Sequence, residues 1–194
     1  MKMKIRYGLI FLFVLLQACS ASVASEAEIK TFLQDPDHGL FKKKEDSGFE
    51  IEVLYRPTDF IVKQQMEKGT PHEIDSLRKA YAKYHYFLLT ISKSGKDLET
   101  QFAYDLGSFA NKISFLASDF SSKIFLQTEN KDYSIQDYVY TRSYGMGLSQ
   151  FLLVFERPAE ARFDLTIEGY DLGFGKVQFA FHQNDIDNLP HLKF

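Results

Sequence analysis

His182, Asp185, Asp187 and His191 bring imidazoles and carboxylates together near the C-terminal end of the sequence, the residue types that hold divalent metals. Zinc sites pair their ligands at short fixed offsets, and calcium loops combine a glycine turn with a bidentate glutamate. The spacing here matches neither, so the stretch reads as a polar tail and no metal ligand set is assigned. His72 and His85 stand alone, and His38 shares a loop with Asp35 and Asp37 without a nucleophile at a recognisable spacing. No serine sits between glycines as in a hydrolase elbow. Gly145 and Gly147 flank Met146 without the third glycine or following basic residue of a phosphate cradle, and read as a turn. Glu50 and Glu52 alternate onto an outward strand face, where carboxylates solvate a sheet rather than perform acid and base catalysis. The remaining candidate is a row of rings and one guanidinium: Tyr138, Tyr140, Arg142 and Tyr144 alternate along one strand face, with Tyr133 nearby. Such a row binds a glycan or a protein by stacking and hydrogen bonding. Its competing reading is cross-strand packing in an ordinary sheet. No catalytic residue and no cofactor is predicted.

The elements that position these groups belong to one globular domain: 194 residues with 45% hydrophobic and 25% charged side chains leave little room for two. The formal charge of −3 carries no block of like sign, so a basic face for nucleic acid is not expected. The 19 Phe and 11 Tyr with no Trp imply a core of rings of moderate size, and the missing Trp weakens the glycan reading of the tyrosine row.

The chain opens with Lys2, Lys4 and Arg6, then an apolar run from Leu9 to Leu16, then small residues. This is the pattern of a secretory signal peptide, and the run is too short for a bilayer-spanning helix, which needs ~20 residues. Leu16, Gln17, Ala18 and Cys19, followed by Ser20, resemble the lipobox of bacterial lipoproteins. The resemblance implies that the Cys19 thiol receives a diacylglycerol by thioether linkage, that the chain is cut before Cys19, and that the new amino group is acylated. Ser20 rather than Asp at the next position is similar to lipoproteins released to the outer membrane. Cys19 is the only cysteine, so it has no disulfide partner within the chain. The competing cut is after Ala24, with Ser22 and Ala24 as the small pair. Loss of residues 1–18 removes three positive charges and takes the formal charge from −3 to −6.

Residues 19–47 are expected to hold the lipidated cysteine, a spacer over Ser20–Ser25, a short helix from Glu26 to Leu33 capped by Ser25 and Glu28, and a charged loop over Asp35–Gly48. The folded domain is expected over 48–194. Phe49, Ile51, Val53 and Tyr55 alternate with Glu50 and Glu52 and predict the first strand. Thr58 or Asp59 caps a helix to about Lys68. Thr70, Pro71 and Glu73 open a second one to about Lys83, with Ile74, Leu77, Tyr81 and Tyr84 on one face. Residues 98–120 fit a helix or a pair of strands equally. Strands are predicted at 87–91, 124–128, 138–144, 151–156, 163–168 and 177–182, with Phe151–Phe155 central and Arg157–Glu160 a hairpin turn. The predicted fold class is mainly β: an antiparallel β-sandwich with a helical insertion near residues 58–83.

This arrangement resembles an immunoglobulin-like sandwich. The run from Phe174 to Phe179 is loosely similar to small envelope lipoproteins of Gram-negative bacteria, a resemblance that implies no functional residue. The expected protein is a lipid-anchored envelope component, probing a protein or glycan partner as a binding or structural module rather than an enzyme. The alternatives are a periplasmic small-ligand carrier and an envelope hydrolase with catalytic residues dispersed in sequence. The anchor is checked directly: Cys19→Ala is expected to abolish labelled fatty-acid incorporation and move the protein out of the membrane fraction, whereas a mature N-terminus at Ser25 would exclude the lipobox.

Overall fold

The computed structural model describes residues 23–194 apart from 67, 68, 104, 143 and 144, so Cys19 and Tyr144 lie outside the described residues. The strands are β1 (Val23–Ala24), β2 (Phe41–Asp46), β3 (Phe49–Tyr55), β4 (Tyr84–Lys93), β5 (Ile124–Gln127), β6 (Asp132–Thr141), β7 (Ser149–Glu156), β8 (Arg162–Glu168), β9 (Lys176–His182) and β10 (His191–Leu192). Eight of them form one antiparallel sheet in the order β2-β3-β4-β7-β6-β5-β8-β9, while β1 pairs in parallel with β10.

The sheet folds over on itself at β6. Residues Asp132–Ser134 pair with β5, whereas Ile135–Thr141 pair with β7, and the register shifts between Ile135 and Asp137. An extra residue of this kind bends a strand and lets it pass from one layer to the next. The two edge strands are brought together on the far side. Lys42 and Lys44 lie over the Phe181 and Phe179 rings, each 5.7 Å from the centroid, and the Gly175 N–H donates to Asp46 Oδ2 at 2.5 Å. The result is a mainly β, nearly closed, barrel-like sandwich. Because of the fold at β6, Arg157–Glu160 is not a hairpin turn: β7 and β8 are separated by β6 and β5 in the sheet, and this segment crosses between the layers.

Period-two alternation supplies the filling. Phe49, Phe87, Phe151, Phe155, Phe163, Phe179 and Phe181 are all fully buried, with Phe87 and Phe181 centroids 5.0 Å apart and Phe163 and Phe181 6.0 Å apart. Burial of each such side chain contributes ~1.5–3 kcal/mol. Register sets the two ends. Tyr55, His85, Phe155 and Phe163 lie toward one, and Phe49, Ile91, Ser149 and Val177 toward the other.

The helices are α1 (Glu26–Gln34), α2 (Thr58–Gln65), α3 (Pro71–Tyr81), α4 (Leu98–Gln101), α5 (Leu106–Ala117) and α6 (Gln183–Asp187). Both expected capping boxes, Ser25 with Glu28 and Thr70 with Glu73, are formed. The α2 helix has Pro57 at its N-cap and no side-chain cap; Asp59 is used elsewhere. No residue of α3 is fully buried; it packs chiefly against α2 rather than on the sheet, and Tyr84, expected on its face, belongs to β4, where it joins Tyr81, Ile61, Tyr86 and Val154 in a small outer cluster. The ambiguous stretch 98–120 is helical, α4 then α5, followed by a 3-10 turn at Asp119–Lys123. No helix among the described residues is long and apolar enough to cross a membrane.

The domain starts earlier than 48. Ile29, Leu33 and Leu40 belong to the core, and the expected charged loop holds β2, paired with β3 from Phe41↔Leu54 to Asp46↔Phe49. Its lysines hid the strand, since β2 is an edge strand with only one apolar residue. The expected spacer is also shorter, because Val23 and Ala24 pair with His191 and Leu192. Leu33→Ala is expected to lower unfolding stability by about 2–5 kcal/mol in urea titration, against less than about 0.5 kcal/mol for exposed Lys30→Ala. Equal effects would return residues 26–34 to the status of an appendage.

Candidate functional site

The tyrosine row is turned mostly inward. Tyr138 and Tyr140 stack on Phe151 at 5.9 and 5.2 Å, and the Tyr138 hydroxyl donates to the Leu116 carbonyl at 2.6 Å. Burial pushes the Tyr138 phenol up from its ordinary value. Tyr133 is half-buried and its hydroxyl donates to Glu160 at 3.4 Å, while Arg142 is exposed. The row is thus covered by α4, α5 and the following turn at Tyr138 and Tyr140, and only Arg142 among its described members faces solvent.

Beneath Tyr140 lies a polar knot. The fully buried Glu99 carboxylate accepts from the hydroxyls of Tyr140 and Ser149, and Ser149 Oγ accepts from the Leu98 N–H at 3.0 Å. Asp97, equally buried, caps α4 by accepting from the Thr100 N–H and hydroxyl at 2.7 and 2.5 Å, and it accepts from the Gly145 N–H at 2.9 Å. Burial raises the Asp97 carboxyl, but the donors from Thr100 and Gly145 outweigh it and hold it below its usual range. The Gly-x-Gly turn therefore serves an internal carboxylate. Buried polar groups fully paired in this way fix one arrangement of the chain. Here the knot ties α4 and the 145–149 turn to β6 and β7.

At one end of the barrel His85 is fully buried on β4, stacked on Phe163 at 5.1 Å with Nδ1 3.4 Å from the Tyr55 hydroxyl. Its Nε2 is buried beside the Gln183 side chain, whose interaction with the imidazole opposes the downward shift. Burial and then the positive Arg157 push the imidazole down to about 4, so it stays neutral through the physiological range. The four C-terminal ligand types do not converge. Asp187 accepts from Arg157 and Gln183, each at 2.8 Å, and His191 lies 3.8 Å from Asp59. Asp185 approaches Gly39, and His182 is exposed at the end of β9. No metal-binding cluster occurs among the described residues. Glu50 and Glu52 both face Lys43, at 2.5 and 3.3 Å.

The outer face carries what the sequence reading missed. Phe41, Leu54, Leu88, Leu152 and Val139 stand opposite one another across β2, β3, β4, β7 and β6. Each alternates with an inward residue, and all five are half-buried or exposed. Where α1 and α2 flank this row they leave an open groove of about 880 Å³ with Leu33, Leu54, Phe60 and Leu88 as its floor. Lys30 and Lys63 stand on its rim, both bonded to Glu26 at 2.6 Å. Those two ammonium groups, Lys30 first, hold the Glu26 carboxyl down at about 2. Arg56, also on the rim, donates to Gln64 at 3.3 Å. A smaller cleft lined by Phe41 and Thr90 continues the groove along Leu54 and Leu88. The signal in the sequence was Leu54 breaking the outward run of Glu50 and Glu52, repeated by Leu88 and Leu152 on their strands.

Compared with protein-family models, with curated proteins and with solved structures, the chain matches none. The inward tyrosines predict a specific asymmetry. Tyr140→Phe leaves the buried Glu99 short of a donor and is expected to destabilise by about 1–3 kcal/mol, while Arg142→Ala stays within about 0.5 kcal/mol. Thermal and urea unfolding check both, and a neutral Tyr140→Phe would mean that the knot does not hold the fold.

Proposed function

We propose that the chain is a lipid-anchored protein of the cell envelope, held at the outer membrane through Cys19, whose domain is a binding module rather than an enzyme. The carrying observation is the apolar groove between α1, α2 and the outer face of β3 and β4. An apolar row half-open to water across five strands costs solvation unless something covers it, and contiguous patches of this kind mark interaction sites. The floor is apolar and the rim charged, the anatomy of a protein–protein contact. The interior, in contrast, is occupied by phenylalanine rings, and the hydrogen bonds of Ser149 and Glu99 are taken up by each other, by the Tyr140 hydroxyl and by the Leu98 N–H. The resemblance to an immunoglobulin-like sandwich is supported by the antiparallel pairing and the passage of β6 between layers, and the binding reading does not depend on it.

The favoured occupant is an apolar segment of another envelope protein, since a membrane anchor confines both partners to a thin layer and raises their effective concentration. A small-ligand carrier is the second reading, favoured by the groove volume, which falls within the ~300–1,000 Å³ of small-molecule sites. Crosslinking in intact envelopes separates them. Leu54→Ser and Leu88→Ser are expected to keep the unfolding midpoint within a few degrees and to lose the crosslinked partner, while Glu52→Gln keeps it. A partner retained by both folded leucine variants excludes the groove as a protein contact. Lipid extracted with the wild type but not with Leu88→Ser would instead favour the carrier.

A further inference from the structure

We propose that the end of the domain bearing Val23, Met66, Ile74 and Phe194 seats directly on the phospholipid bilayer, an orientation that rests on the lipid anchor proposed above. Val23 and Phe194 are among the large apolar side chains left exposed, at 64% and 46%. They share a cleft of about 770 Å³ with Met66, Ile74 and Leu192. The β1–β10 pairing holds the start of the described residues and the C-terminal segment at this place, with Val23 opposite His191 and Ala24 opposite Leu192. Beneath them Asp59 acts as a clamp: it accepts from Arg78 Nε at 2.6 Å and from the Leu192 N–H at 2.7 Å. Arg78 in turn lies 4.8 Å from the Phe194 ring and donates to the Leu192 carbonyl at 3.3 Å.

The length of chain beyond β1 selects the occupant. Cys19 precedes Val23 by four residues. At ~3.8 Å per Cα step, a lipid on Cys19 lies within about 15 Å of Val23 even on a fully extended chain. A bilayer that holds the acyl chains is thus within reach of this face, whereas the opposite end of the barrel is separated from it by the seven-residue strands β8 and β9, ~23 Å at ~3.3 Å per residue. Lys63, Arg78, Lys193 and Asp75 line the apolar cleft; Arg78 is paired with Asp59 and Asp75 and Lys63 with Glu26, so the exposed Lys193 is the cation that suits a phosphate headgroup beside an inserted apolar rim. The groove proposed above shares Lys63 with this cleft, so it opens beside the membrane. Tyr170, 68% exposed, lies at the other end of the barrel, between β8 and β9.

The chain has no tryptophan, so a single introduced indole reports its own depth. The full-length lipidated protein is reconstituted into phosphatidylethanolamine–phosphatidylglycerol vesicles carrying brominated acyl chains. Emission of the Phe194→Trp variant is expected to shift blue and to be quenched at least about twofold more than that of Tyr170→Trp, because interfacial side chains reach the acyl boundary. Val23→Trp is expected to behave as Phe194→Trp and serves where the latter fails to fold. Equal quenching at both ends, with fatty-acid label present, overturns the seating and leaves the anchor standing. Absence of label on Cys19 overturns both.

Discussion

Closure of the sheet around phenylalanine is the constraint on which the rest depends. Five of the eight strands present Phe49, Phe87, Phe151, Phe155, Phe163, Phe179 and Phe181 to one interior, and those rings are out of water only if the sheet curls until its edges meet. The curl is delivered by the register shift in β6. The edges are then matched by side chains, with Lys42 and Lys44 laid over Phe181 and Phe179 and Asp46 accepting from Gly175. A β2 rich in lysine suits an edge strand that must meet β9 without offering a template to other chains.

The same closure decides where recognition can occur. With rings filling the inside, the polar groups admitted there are the ones that hold the structure: Glu99 and Asp97 tie α4 to β6, β7 and the glycine turn, and neutral His85 packs between Tyr55 and Phe163. The tyrosines of β6 are drawn inward as part of that knot. What is left for a partner is the outer face, where α1 and α2 cover part of an apolar row and leave the groove over Leu54 and Leu88.

Residues 23–34 and the C-terminal segment are integrated into this plan. Since Ile29 and Leu33 belong to the core and β1 is locked to β10, an anchor on Cys19 would connect to the domain through three residues, Ser20, Ala21 and Ser22. Such a short link would convert a lipid from a loose tether into an orienting device, and would make the Asp59–Arg78 clamp on the C-terminal segment part of the same assembly.

By itself the sequence determined the local elements with strong periodicity or chemistry. Phe49–Tyr55 and Arg162–Glu168 form strands because alternate side chains are apolar, and Ser25 with Glu28 and Thr70 with Glu73 start helices because their oxygens satisfy the free N–H groups. The lipobox-like Leu16–Cys19 run is likewise a matter of residues in order. Tertiary structure alone decided the facing of Tyr138 and Tyr140, since one pleated strand has two faces and only the arrival of Phe151 and α5 marks one as inside. It also decided that lysine-rich residues 41–46 form a strand, that β7 and β8 part company, and that leucines distant in sequence line one groove. Each depends on which backbone lies alongside, and pairing between remote strands is set by closure of the whole sheet rather than by any local pattern.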